Sequence, residues 1–584
     1  MEIIVSLSRL SDHLKNIYGE EASRELLKQI ESKTAQYRDD IHCGKARYSL
    51  NQEDVVLITY GDQFSEPGQK PLETLHAFCQ QFLGLAFNTI HILPFFPYSS
   101  DDGFSVIDYY HVDPALGDWA DIQAISGDFR LMVDGVFNHA SKESSWFKGF
   151  LAGEQPYCNY FISVAPRTDL SQVVRPRALP LLTAFQTGEG QKLVWTTFSD
   201  DQVDLNYASP DVFLEITDVM LTYVKKGARI IRIDAVPFLW KEIGTDCIHR
   251  PQTHALVKAW RAILDLVAPE VLLITESNVP FEDNISYLGE YKDHNRVETD
   301  EAQLVYQFSL GPLILHTFLD GNSSRISRWV SSLPQPYRYF NFIASHDGIG
   351  LNPATGILDQ DEINALIKTA QAHGGRLSYK KDVDGNEKVY ELNITLYDFL
   401  NDPQQPQAEL DIERFIASQA IMLVLAGVPG IYVHSLFGSH NCLMCDEDGQ
   451  HPRSINRAKF NYSQLLAKLA DPTSRETVIF HRYLALLAQR RMHAAFAPFA
   501  EQEVLLLDER VFALYREDER HAEQIVCITN VTDKIVEVKI PASQWLCKNR
   551  VLKDLLSDHL VAMNDDLLEI TLQPYQSMWL CSQV

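Results

Sequence analysis

From residue 55 onward the chain is punctuated by short runs dominated by apolar, β-branched and aromatic residues. They are VVLITYG (55–61), TIHILPFFP (89–97), RLMVDGVFNH (130–139), RIIRIDAV (229–236), VLLITES (271–277), LVYQFSL (304–310), YFNFIASHDG (339–348) and VPGIYVHS (428–435). Each predicts a buried strand. Between them lie stretches with apolar residues at helical spacing, such as SPDVFLEITDVMLTYVKKG (209–227) and THALVKAWRAILDLVA (253–268), which predict amphipathic helices. Eight strands alternating with helices predict an α/β fold, a (β/α)8 TIM barrel. An open doubly wound sheet is the competing reading, but the chain has no glycine-rich phosphate turn of the GxGxxG or GxxxxGK type.

The flanks differ from this pattern. Residues 1–53 precede the first strand, and 10–40 carry apolar residues at helical spacing, so an N-terminal helical extension of one or two helices is expected. Residues 140–205 follow the third strand, are rich in Pro, Gly and aromatics, and are too long for a plain loop, which predicts an inserted domain. Residues 349–411 form a second long connection and contain the polar stretch SYKKDVDGNEKVY. Short alternating runs after 498 predict an all-β C-terminal domain over 499–584, leaving 54–139 and 206–498 for the barrel.

Composition narrows the function classes. A formal charge of −27 excludes a general affinity for nucleic acid or anionic lipid, so an anionic substrate would need a local group of arginines. No run of about 18 apolar residues is present, and the N-terminus lacks a basic, signal-type start; a soluble, cytoplasmic protein is the expectation. Nine irregularly spaced cysteines do not form a disulfide framework. Cys442 and Cys445 in HNCLMC lie near His434 and His440, but the second half of a zinc set is missing, so they read as two loop thiols without a special role. Nothing in the chain reports its oligomeric state.

Active sites of such barrels lie at the C-terminal ends of the strands. Those ends carry Asp101 and Phe104, Asn138 and His139, Arg232 and Asp234, Glu276, and His346 with Asp347. Arg232 and Asp234 are two residues apart and so share one strand face, with Ile231 and Ile233 on the other. Asp134 reads as structural, turned into the barrel wall. A strand-end Asp–Arg pair can be a plain ion pair. Three carboxylates converging from three strands, however, suit glycosyl transfer through an oxocarbenium-like transition state.

VDGVFNH, RIIRIDAV, ITES and ASHDG, in that order, resemble the four signature segments of the α-amylase family of glycoside hydrolases and transglycosidases, over residues 54–498. The resemblance implies Asp234 as nucleophile, Glu276 as general acid/base and Asp347 as transition-state stabiliser, with Arg232, His139 and His346 binding the sugar. Arg232 should then hold Asp234 ionised, and burial beside other carboxylates should raise Glu276. HILPFFPYSSDDGFSVIDYY, VVRPRALPLLTAF, TTFSDDQVDLNY, KEIGTDC and SINR are similar to the sucrose phosphorylase branch. In that branch Asp101 and Arg457 would close the glucose pocket, Phe104 would stack on the glucosyl ring and Gln202 would shape the rim. Arg175 and Arg177 in VRPRALP offer the charge that phosphate needs, though surface ion pairs anchoring a loop are the plainer reading.

Three positions depart from sucrose phosphorylases: Phe238 stands for a tyrosine, Asn278 for a histidine and Glu391 for a glutamine. The N-terminal extension, RPRALPLLT, TESNVP and NFIASHDGIGLNP are closer to glucosylglycerate phosphorylases, with Cys442 in GSHNC as a departure where an aspartate is expected. That resemblance implies reversible phosphorolysis of 2-O-α-D-glucosyl-D-glycerate to α-D-glucose 1-phosphate and D-glycerate. It implies no metal or cofactor, with inorganic phosphate as co-substrate. Arg175 and Arg177 would bind the glycerate carboxylate first and phosphate afterwards. A sucrose, sucrose 6'-phosphate or glucosylglycerol phosphorylase, a related hydrolase or transglucosylase, and a barrel that only binds sugar are the alternatives.

Overall fold

The computed structural model describes residues 2–582 apart from 42, 43, 45, 178, 291–298, 337, 382–386, 448, 450, 519, 521, 542–550 and 564–566. Eight parallel strands close into a barrel: β1 (Val56–Thr59), β2 (Thr89–Ile92), β3 (Arg130–Gly135), β4 (Ala228–Ile233), β5 (Leu272–Thr275), β6 (Leu304–Tyr306), β7 (Tyr339–Asn341) and β8 (Val428–Tyr432). They follow chain order around the barrel, and β1 pairs with both β2 and β8. All eight apolar runs are thus barrel strands. Their nearly unbroken apolar character fits a parallel strand buried on both faces.

On β4 the alternation has a physical cause. Ile231 and Ile233 are fully buried on one face, while Arg232, also buried, points the other way, opposite Asp134 on β3. Asp134 accepts from Arg232 Nη1 and lies 2.7 Å from His91 Nε2 on β2. These three polar side chains pair with one another inside the barrel, as buried charges must.

The helical extension is α1 (Glu2–Arg38), broken at Gly19, where φ is +77°. Glycine adopts that angle without a Cβ clash, so the chain changes direction there and resumes as a second helical segment. α1 packs across α2 (Pro210–Lys225) and α3 (Pro251–Val267), the helices that precede β4 and β5. Leu10, Leu14, Leu26 and Ile30 supply its buried face. Tyr18 Oη donates to Tyr207 O at 3.0 Å, Tyr37 Oη to Asp218 Oδ1 at 3.0 Å, and Arg47 pairs with Asp265 at 2.8 Å.

The insertion after β3 begins with His139–Ser141, which pairs antiparallel with Gln202–Asp204. It continues with the helix Ser145–Ala152 and a three-stranded sheet of Ser163–Val164, Gly190–Trp195 and Leu182–Thr187. After β7, Arg376–Lys381 and Glu387–Asn393 pair antiparallel, and the second strand also pairs with Ile349–Gly350; residues 382–386 of the polar stretch lie outside the described residues. Among the described residues beyond Glu501 the C-terminal region is built of strands, in a six-stranded and a two-stranded sheet. Arg516 from that region donates to Val424 O at 2.6 Å and Ala497 O at 2.8 Å, tying it to the barrel. Among the described residues no helix is long and apolar enough to cross a membrane.

One sequence reading is corrected here. Cys442 and Cys445 are joined as a disulfide. The turn over Leu443–Asp446, in which Cys445 N donates to Cys442 O at 3.0 Å, brings their Cα atoms to 5.3 Å, within reach of the bond.

Candidate active site

Asp101, Phe104, His139, Gln202, Asp234 and Glu276 line one cleft at the C-terminal mouth of the barrel. Arg175, Arg177, Asn278, His346, Asp347 and Glu391 complete the sequence-predicted residues on its wall. Arg232 lies beneath, and Arg457 stands behind His346.

The end of β4 sets the carboxylates. Asp234 N donates to Gly135 O of β3, and Glu276 N to Ile233 O of β4, both at 3.1 Å, so the two residues leave the barrel side by side. Ala235 then takes a φ of +49°, an unfavourable conformation for a residue with a Cβ. This turn aims the Ala235 N–H at Glu276 Oε2, 2.9 Å away. The Arg232 guanidinium is shared: Nη1 meets Asp134 and, at 3.0 Å, Asp234 Oδ1, while Nη2 is 3.9 Å from Glu276 Oε1.

That sharing corrects a second expectation. Burial pushes Asp234 up to about 7; Arg232 opposes it, and Asp134 and Asp347 add to it. Burial likewise pushes Glu276 up to about 7, against Arg232 and together with Asp234 and Asp347. Arg232 does not hold Asp234 far below the ordinary range, because its charge is spread over three carboxylates. Asp234 is the nearer to Arg232, at 3.0 Å against 3.9 Å, which favours its ionised form over that of Glu276. For Asp347 burial also acts upward, but Arg453, with Arg232 and Arg457, outweighs it and holds that carboxyl well below its usual range. Burial lowers His346 to about 3, which leaves its ring neutral.

The far wall holds Asp101, whose Oδ2 accepts from Gln202 Nε2 at 3.2 Å. Burial would raise Asp101, yet Arg177, Arg453 and Arg457 together lower it, so it stays ionised. The Phe104 ring stacks on His346 with centroids 5.0 Å apart, and His139 Nε2 lies 2.8 Å from Phe104 O. Arg457 pairs with the neighbour of Asp101. The consecutive positive φ values of Asp101 (+54°) and Asp102 (+47°) turn the chain so that Asp102 meets Arg457, at 2.5 Å. Arg457 Nε donates to His346 O at 2.8 Å and so fixes the backbone beside Asp347.

The sequence reading missed Arg453. It sits in the turn Pro452–Asn456, reaches Asp347 Oδ1 at 2.6 Å and grips both oxygens of Glu391 at 2.7 and 3.1 Å. Glu391, fully buried, therefore acts through Arg453. Arg453→Ala would leave Glu391 without its counter-ion, at a cost of about 3–5 kcal/mol. Denaturant unfolding should show that loss. In the double variant with Glu391→Ala the stability should return and the activity should not. Restored activity would show that Arg453 does not serve Asp347. The signal was one step away: PRSINR places this arginine immediately before the motif that was read.

Asn278 follows Glu276 by two residues, and its buried Oδ1 has no hydrogen-bond partner among the described residues. Arg175 donates to Leu179 O. Phe238 lines the cleft and meets Phe198 edge-on, centroids 5.4 Å apart. One group that could ligate a metal, His493, Glu523 and Cys581, lies outside the cleft, where His493 Nδ1 is 2.5 Å from Glu523. Within the cleft the arrangement offers one carboxylate to attack, one carboxylic acid to protonate, and a third negative group beside them.

Residues 80–348 match the family described as alpha amylase, catalytic domain. The chain is 46% identical to the glucosylglycerate phosphorylase of Spirochaeta thermophila, over 98% of each chain. It is 47% identical to the glucosylglycerate phosphorylase of Allomeiothermus silvanus, over 97% of each. Its fold is similar to the crystal structure of sucrose 6F-phosphate phosphorylase from Thermoanaerobacter thermosaccharolyticum, with a TM-score of 0.72 and 23% identity, over 91% of this chain and 100% of that one. The chain belongs to the alpha-amylase family and, within it, to the group of the glucosylglycerate phosphorylases.

Proposed function

We propose that the protein is a retaining glycoside phosphorylase that converts 2-O-α-D-glucosyl-D-glycerate and phosphate into α-D-glucose 1-phosphate and D-glycerate, reversibly. The near-full-length identity to relatives of that name carries the reading, with every carboxylate the reaction needs present in the cleft. Asp234 attacks the anomeric carbon while Glu276 gives its proton to the departing glycerate oxygen. Loss of the Asp234 charge in the glycosyl ester removes one source of the upward push on Glu276, which then serves as base or as partner to the incoming phosphate. Phosphate attacks from the vacated side and the α configuration is retained. Asp347, held ionised by Arg453, stabilises the positive sugar ring. Arg175 and Arg177 supply charge for the phosphate, which is the only co-substrate. Phe238 and Asn278 shape the acceptor side away from sucrose. We place the reaction in the cytoplasm, where a charged sugar phosphate is retained.

Incubating the protein with glucosylglycerate, with and without phosphate, tests this. Substrate loss should require phosphate and yield α-glucose 1-phosphate in equal amount. Equal loss without phosphate, releasing free glucose, makes it a hydrolase.

A further inference from the structure

Glycerate differs from a neutral polyol by one carboxylate, and that charge needs a cation where the leaving group departs. Most cations at the mouth are committed: Arg232 to three carboxylates, Arg453 to Asp347 and Glu391, Arg457 to Asp102. Lys380 is different. It lies in the strand Arg376–Lys381, half-buried, and lines the cleft. Its Nζ donates to Asn352 Oδ1 at 3.1 Å, and among the described residues no carboxylate pairs with it. Its cross-strand neighbour is Lys388, another cation. Among the described residues this half-buried ammonium meets an amide and a like charge, surroundings that favour the arrival of an anion.

Its position matches the chemistry. Asn352 Nδ2 reaches Asn278 O at 3.5 Å, and Asn278 stands two residues beyond Glu276, the group that would protonate the leaving oxygen. Asn278 also lines the cleft, and its Oδ1, an acceptor suited to a hydroxyl of a small acid, has no hydrogen-bond partner among the described residues. We propose that Lys380 binds the carboxylate of the acid acceptor, and that with Asn352 and Asn278 it selects a small hydroxy acid over a neutral polyol. Arg175 and Arg177 are then free for phosphate and need not serve both anions in turn.

This inference rests on the glycerate reading above, and the test separates the two. In the synthesis direction, with α-glucose 1-phosphate as donor and phosphate release followed, Lys380→Met should raise the KM for D-glycerate about tenfold or more. The KM for α-glucose 1-phosphate should stay within about twofold, and Lys380→Arg should keep most of the glycerate affinity. A KM does not depend on how much of the variant is folded. A glycerate KM unchanged in Lys380→Met overturns the inference, as does a KM for α-glucose 1-phosphate that rises equally, since Lys380 would then be a general anion site. If the wild-type protein releases no phosphate with glycerate but does with another acceptor, the proposed function falls and takes this inference with it.

Discussion

Asp234→Asn is expected to reduce turnover by about 10⁴-fold or more in both directions, since the amide keeps the shape of the carboxylate but cannot form the glycosyl ester. The effect should be nearly all in kcat. The amide should also relieve Glu276 of one negative neighbour and shift its titration downward, which a direct measurement on the variant would register. More than about one per cent of wild-type turnover in the variant would be incompatible with a covalent role for Asp234.

Glu276 carries the second large effect. Glu276→Ala should lower kcat/KM for glucosylglycerate by about 10²–10⁴-fold, because an alkoxide of glycerate leaves poorly without a proton. A donor whose leaving group needs no proton, such as α-glucosyl fluoride, should lose far less. The pH profile follows from the two raised carboxyls. The active form has Asp234 ionised and Glu276 protonated. As pH falls, Asp234 takes up a proton and attack is lost; as pH rises through the Glu276 value, near 7, the acid is lost. kcat/KM should therefore peak in a narrow band around neutrality and fall on both sides. In Glu276→Ala with the fluoride donor the alkaline fall should vanish; its persistence would assign that limb to another group.

The barrel was legible because buried parallel strands are apolar on both faces, and the eight runs from Val55 to Ser435 carry that signature with few polar breaks. The carboxylates were legible because they stand where those runs end. What escaped follows no period. Arg453 sits in a short turn whose position depends on how the loop after β8 folds back, and its partners are 62 and 106 residues away in the chain. The pairing of Arg457 with Asp102 depends on two positive φ angles that a pair of aspartates does not announce. The raised Asp234 arises from burial beside other acids that a single guanidinium, shared among three carboxylates, only partly offsets, which is a statement about space.

The strap of α1 across α2 and α3 bears on how the protein is made. α1 leaves the ribosome before its partners, and the surface that covers Leu10, Leu14, Leu26 and Ile30 is complete only once residues 210–267 have followed. At about 5–20 residues per second that wait lasts roughly 10–50 s, during which an amphipathic helix stands without its partner. α1 thus cannot dock until α3 has emerged, and until then nascent chains offer an apolar stripe to chaperones.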